Sequence, residues 1–168
     1  MAEVQGIPAG FEPLPGKKTF IHHAGPVYWG ESEDQFVLGF RVAPHHVNPA
    51  GMCNGGMLMT VMDLGLIIGI ITAQPDGNFS PTMSLAVDFI AAAQLGDWVE
   101  SRVDFVHLTR RRGYVSGRLV GPAGLIMRAN GAFNFPPAGD PRFNVDGPTL
   151  RDVIVDRLKQ KTQQGGKA

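Results

Sequence analysis

Apolar and polar positions alternate with different periods along the chain, and the changes of period divide it into elements. Residues 1 to about 18 contain three prolines and few periodic apolar positions, which predicts an extended arm. "GPVYWGE" and "QFVLGFRV" are short β-prone runs separated by polar residues, and they predict two strands. "APHHVNPAG" carries Pro44, Asn48-Pro49 and Gly51 and predicts a loop. The next stretch, "NGGMLMTVMDLGLIIGI", is apolar or small at nearly every position, and its length of roughly 18 residues favours helix over strand. Asn54 suits the N-cap, with Gly55 and Gly56 in the first turn. Because the helix has no polar face, something must wrap it.

Four strand-like segments follow: "TMSLAVDFIAA", "DWVESRVDFVHL", "RGYVSGRLVG" and "GLIMRANGAFNF". Turns at Leu95-Gly96 and at 121–124 separate them, and the spacing predicts an antiparallel meander. Near the end, Thr149 and Asp152 have the spacing of a capping box, and Pro148 suits a first helical turn. Leu150, Val153, Ile154 and Leu158 then make one apolar face, so a docking helix is expected over about 148–161. One apolar helix wrapped by a curved antiparallel sheet is an α+β architecture, the hotdog fold. The predicted organisation is an arm over 1–18, a hotdog domain over 19–138 and an extension over 139–168.

Composition adds exclusions. At 168 residues the chain is long enough for one domain with a proper core. Apolar residues at 43% and charged residues at 18% describe a folded chain, and a net charge of zero gives no global pull toward nucleic acid or an anionic membrane. The single cysteine, Cys53, excludes an intrachain disulfide. The first residues lack the basic start and apolar run of a signal peptide. The central apolar stretch carries an acid, Asp63, which argues against a transmembrane span. A cytoplasmic protein with no membrane or nucleic-acid partner is the expectation.

Asp63 is the chemical anomaly, because a carboxylate on a buried helix is costly unless a partner compensates it. "HHVNPAGMCNGGMLMTVMD" resembles the motif of the PaaI-like hotdog thioesterases: an Asn, a glycine-containing turn, a Gly-Gly pair, and an acid eight residues after its first glycine. Asn48, Gly55, Gly56 and Asp63 fall at that spacing. "SPTMSLAVDFIAAAQLGDWV" is similar to the family strand that carries a hydroxyl facing the acid, and "GRLVGPAGLIMRANGAFNF" to its last hairpin. The resemblance covers roughly residues 36 to 136. It departs at Asn54, where the family has a histidine, and the C-terminal helix lies outside the family core.

The resemblance implies hydrolysis of an acyl-CoA thioester, with coenzyme A entering as part of the substrate and no cofactor or metal. A backbone N–H at a helix start, unpaired and at the positive end of the dipole, suits a developing oxyanion. Gly55 is the candidate donor, with Gly56 beside it. Asp63 would be a general base on water or a nucleophile. Eight residues at 1.5 Å each put Asp63 about 12 Å from Gly55, too far to act on one carbonyl within one chain. The family's antiparallel pairing of helices would bring one protomer's Gly55 to its partner's Asp63, so a homo-oligomer, a dimer or a dimer of dimers, is implied. By the same resemblance Asn48 holds the water or the acid, and Thr82 faces the acid, with Ser84 as its alternate on the same strand face. Asn54 and Gly56 are placed among the substrate-binding residues. Arg110, Arg111 and Arg112 at a strand turn suit the phosphates of coenzyme A.

Plainer readings accompany these. Asp63 can bond a neighbouring element, Gly55-Gly56 can serve tight packing, Asn48 before Pro49 can be a turn residue, and the arginines can be a solvated turn. His45, His46, Cys53 and Asp63 match no compact metal-ligand spacing. Two other functions share the fold: a non-catalytic acyl-CoA binding module and a hydratase or dehydratase.

Overall fold

A helix without a polar face is stable only when enclosed. In the computed structural model, which describes residues 6–143, 145 and 147–165, the apolar stretch forms helix α2, Gly55–Ala73, against a seven-stranded antiparallel sheet. The elements before it are β1 (Glu12–Pro13), α1 (Phe20–Ala24), β2 (Tyr28–Ser32) and β3 (Gln35–Arg41). Those after it are β4 (Thr82–Phe89), β5 (Trp98–Leu108), β6 (Arg112–Gly121), β7 (Gly124–Asn134) and α3 (Leu150–Gly165). By length and hydropathy (1.9) α2 could cross a membrane. Here Val61, Met62 and Leu66 have no solvent exposure and join Leu38, Phe40, Leu119 and Phe133 in the core. Gly65 permits the close approach of α2 to β5, since a Cβ there would lie 2.6 Å from Ser101 Cβ.

The sheet order is β1-β2-β3-β5-β6-β7-β4. This corrects the four-strand meander expected from the sequence. β5, β6 and β7 form one, but β4 pairs with β7 at the far edge. Both edges of β5 are already taken, by β3 and by β6, so β4 can join only on the outside. Bulges in β5, between Val103 and Phe105, and in β4, between Thr82 and Ser84, interrupt the ladder and add the bend that a wrapping sheet needs. The β2–β3 hairpin turns on Glu33 and Asp34, both at positive φ, as a two-residue turn matched to strand twist demands.

The described part of the N-terminal arm is docked. Glu12 and Pro13 pair with Trp29 and Tyr28, Leu14 is buried, and Arg41 donates to Gly6 O. Residues 1–5 of the predicted arm and 166–168 of the predicted tail lie outside the described residues. Helix α3 starts later than expected. Thr149 is its cap, exchanging bonds with Asp152 (Asp152 Oδ2 accepts from Thr149 N–H at 2.8 Å), and Pro148 precedes the cap. Ile154 is fully buried, and Leu150, Val153 and Leu158 pack beside it. Arg151 donates to the carbonyls of Gln74 (3.0 Å), Pro75 (3.2 Å) and Asn78 (3.0 Å), tying α3 to the C-cap residue of α2 and the loop after it.

Candidate active site

The start of α2 is a capped helix with one free donor. Asn54 is the N-cap, and its Oδ1 accepts from Gly56 N–H at 2.8 Å. Asn54 O accepts from Met57 N–H (3.0 Å) and Leu58 N–H (3.3 Å). Among the described residues none accepts from the Gly55 N–H. Of the two glycines, Gly56, expected among the substrate-binding residues, has its amide already used by Asn54, and among the described residues the candidate donor Gly55 keeps an unpaired N–H. The Phe89 ring covers Gly55, and a Cβ there would lie 3.0 Å from Phe89 Cζ. A cleft of about 310 Å³ opens beside this turn, lined by Asn48, Cys53, Gly55, Leu58 and Phe89 among others.

Asp63 lies half-buried in the middle of α2. Thr82 Oγ1–H donates to Asp63 Oδ1 at 2.9 Å, the pairing that the resemblance implied. Burial pushes the Asp63 carboxyl above the ordinary aspartate value, and the Thr82 bond opposes that rise. Ser84 does not share this position. The bulge between Thr82 and Ser84 breaks the alternation, and Leu85 and Val87 are the next β4 residues packed on the core. Ser84 therefore belongs to the opposite face, which corrects its place as an alternate to Thr82.

Asn48 is occupied by its own loop. Its Oδ1 accepts from Ala50 N–H (2.9 Å) and Met52 N–H (3.3 Å), as a turn asparagine does. It lies on the cleft with Gly55, and no bond joins it to Asp63 within the described chain. The arginine turn is built by Thr109, whose Oγ1 accepts from Arg112 N–H (3.0 Å) and whose N–H donates to Arg112 O (2.8 Å). Arg110 and Arg111 line a second cleft of about 640 Å³ at the C-terminal end of α2. Arg112 is not on it; as the first residue of β6 it pairs with Asn134, so the expected trio is a pair.

The remaining reactive side chains are structural. Burial pushes the Cys53 thiol up to about 11, which leaves it a poor nucleophile at neutral pH. His46 is buried, with Nδ1 accepting from Ala43 N–H (3.0 Å) and Nε2 2.7 Å from Ala24 O. That is the bonding of a neutral ring, and burial lowers its pKa. Among the described residues no three His, Cys, Asp or Glu side chains converge as metal ligands. Sequence reasoning missed Phe89, Phe79 and Arg151. Phe89 sits inside a strand-like segment and Phe79 in the polar stretch after α2, and Arg151 reaches the end of α2 across 77 positions of sequence, so no local pattern marks them.

A core helix with a paired acid in its middle, wrapped by an antiparallel sheet, defines a hotdog fold. The model of the family described as "Thioesterase superfamily" matches residues 50–124, from the loop before α2 to the turn between β6 and β7. A Pseudomonas aeruginosa protein provisionally named an esterase is 29% identical over 134 residues, covering 79% of this chain and all of that one. Among solved structures, a mutant of the phenylacetic acid degradation protein PaaI from Thermus thermophilus superposes with a TM-score of 0.60 at 20% identity, over 70% of this chain and 98% of that one. A Bacillus halodurans protein solved with coenzyme A gives 0.60 at 22% identity, over 66% and 74%. The resemblance to PaaI-like hotdog thioesterases read from the sequence is borne out.

Proposed function

We propose that the chain hydrolyses an acyl-CoA thioester to the free acid and coenzyme A, at a site shared by two protomers. The observation that carries this reading is the Thr82 hydroxyl holding a half-buried Asp63 on a core helix whose first turn leaves Gly55 N–H unengaged. The coenzyme A bound to the Bacillus halodurans protein and the esterase name of the Pseudomonas relative support the substrate class. Pairing is supported by β4, an edge strand that leaves Met83 and Phe89, with Ile90 just beyond it, about half exposed. An open, apolar edge is a ready template for a second copy.

In the reaction, the thioester carbonyl oxygen accepts from one protomer's Gly55 N–H, and Asp63 of the partner subunit takes a proton from water. The hydroxide adds to the carbonyl carbon, and negative charge develops on the oxygen held by Gly55. Collapse breaks the carbon–sulfur bond, and the proton on the carboxyl passes to the departing thiolate. The upward push on the Asp63 pKa favours the base role over the nucleophile role, because it brings proton affinity closer to the working pH. In this reading Asn48, which lines the cleft with Gly55 and makes no bond to Asp63 of its own chain, orients the acyl end of the substrate rather than the acid. The test is Asp63→Asn assayed by thiol release on a panel of acyl-CoA thioesters. The rate is expected to fall by about 100- to 10,000-fold, the usual contribution of a general base. Full activity in this variant would remove Asp63 from the reaction. Tight binding of acyl-CoA with no thiol release by the parent protein would identify a binding module instead.

A further inference from the structure

The cleft beside Gly55 has a buried floor and a fixed outer wall. In the floor Leu58 is 3% exposed and Cys53 6%. The outer wall is the end of β4, where the Phe89 ring and Ile90 stand about half exposed. Backbone bonds hold that wall on both sides. Phe89 pairs with Met127 of β7, Ile90 N–H donates to Ile126 O (2.8 Å), and Cys53 N–H donates to Ala93 O (2.8 Å). The width of the cleft at Gly55 is therefore set by the Phe89 ring, which packs so closely that a Cβ on Gly55 would lie 3.0 Å from Phe89 Cζ.

The chemistry of the wall is as restrictive as its shape. None of the described lining residues carries a charged side chain. The Cys53 thiol is neutral, because burial pushes it up to about 11, and Asn48 Oδ1 is taken by the N–H groups of Ala50 and Met52. The one charge that the shared-site reading adds, Asp63 of the partner subunit, is negative. An apolar acyl tail gains by entering such a cleft, whereas a carboxylate at its end would lose water and find no partner. At about 310 Å³ the cleft is about twice the size of an apolar cavity of roughly 150 Å³ that takes up benzene, so a short chain fits. A carbonyl oxygen accepting from Gly55 N–H sits about 2.9 Å from the nitrogen. The carbon next to that carbonyl then lies beside the ring that covers Gly55, and a branch on it meets the ring. We infer that this cleft receives the acyl group, that the acyl group is a short uncharged chain unbranched next to the carbonyl, and that Phe89 is the residue that excludes the branch. This deepens the hydrolase reading and rests on it for the thioester itself.

The test uses thioesters of coenzyme A with three acyl groups: valeryl; its isomer pivaloyl, branched next to the carbonyl; and glutaryl, in which a carboxylate replaces the terminal methyl of valeryl. Thiol release by the full chain should show kcat/KM for valeryl-CoA above each of the others by about tenfold or more, the discrimination a shaped apolar pocket gives. The pivaloyl-to-valeryl ratio should rise by about tenfold or more in Phe89→Ala and by less in Phe89→Leu, which keeps an apolar side chain without the ring. The intrinsic hindrance of pivaloyl cancels between parent and variant. An unchanged ratio in both variants overturns the inference, as does a parent that takes glutaryl-CoA as readily as valeryl-CoA. So does thiol release confined to long-chain or branched thioesters. Absence of thiol release by the parent from these and from a wider acyl-CoA panel defeats the hydrolase reading instead. Calorimetric binding of the same three thioesters then decides the cleft: the same order, with the same shift in Phe89→Ala, supports it, and equal affinities or no binding overturn it.

Discussion

Asp63 is surrounded on α2 by Val61, Met62, Leu64 and Leu66, so its charge stands against desolvation, with the Thr82 hydroxyl as its hydrogen-bond donor in the described chain. The sign of the effect follows. Its folded pKa lies above the unfolded value, so the native chain binds the proton more tightly than the unfolded one. The contribution to stability is fully present below the unfolded pKa and is lost as pH rises through the folded pKa. At neutral pH the ionised group is a burden that Asp63→Asn removes. Thermal denaturation should show Asp63→Asn melting above the parent at neutral pH, with the gap closing in acid; a lower melting temperature at neutral pH would contradict this. Thr82→Val removes the bond that holds the carboxyl down. The acid limb of the kcat/KM profile should then move to higher pH, and a limb that stays in place would take Thr82 out of the titration. This pairing is legible in the sequence because Thr82 and Asp63 each belong to a spaced motif. The face of Ser84 is not, because a bulge is a backbone event that residue type does not announce.

The two ends of α2 are fixed by different means, and this governs what can be read in advance. Asn54 closes the first turn through Gly56, two residues away, and the N-cap preference of asparagine makes it visible. Arg151, on another helix, holds the C-cap residue Gln74 and the loop after it. The carbonyls of the chain leaving a helix need partners too, but sequence does not say which distant group supplies them. Asn54→Ala is expected to cost about 1 kcal/mol of stability. Arg151→Ala breaks bonds to three carbonyls and detaches α3 from α2, and about 2 kcal/mol is expected for charge-assisted bonds of this kind. Urea denaturation of both variants reads the order directly. An Arg151→Ala protein as stable as the parent would mean that water replaces the guanidinium without loss.

For the molecule as a whole, the pieces of the sheet can be predicted but not their order. Alternation identifies the strand segments, yet nothing in "TMSLAVDFIAA" says that it pairs with β7 and not with β5. That placement is decided by edge occupancy, a property of the assembled sheet, and it matters because β4 then carries Thr82 to an open edge. The shared-site proposal makes a prediction at this scale. If Gly55 and Asp63 of one chain serve different substrate molecules, lesions at the two positions should complement each other between chains. Gly55→Val obstructs the oxyanion donor and crowds Phe89, while Asp63→Asn removes the base. Each homodimer would then have two damaged sites. In a mixed dimer one site receives both lesions and the other receives neither. After dissociation and random reassociation of equal amounts, half the dimers are mixed and each has one intact site, so about a quarter of parental activity should return. Recovery of activity from two inactive proteins, measured by thiol release, requires that the site span two chains. If native mass spectrometry confirms exchange of protomers and the mixture stays inactive, the site does not span two chains and the shared-site proposal falls.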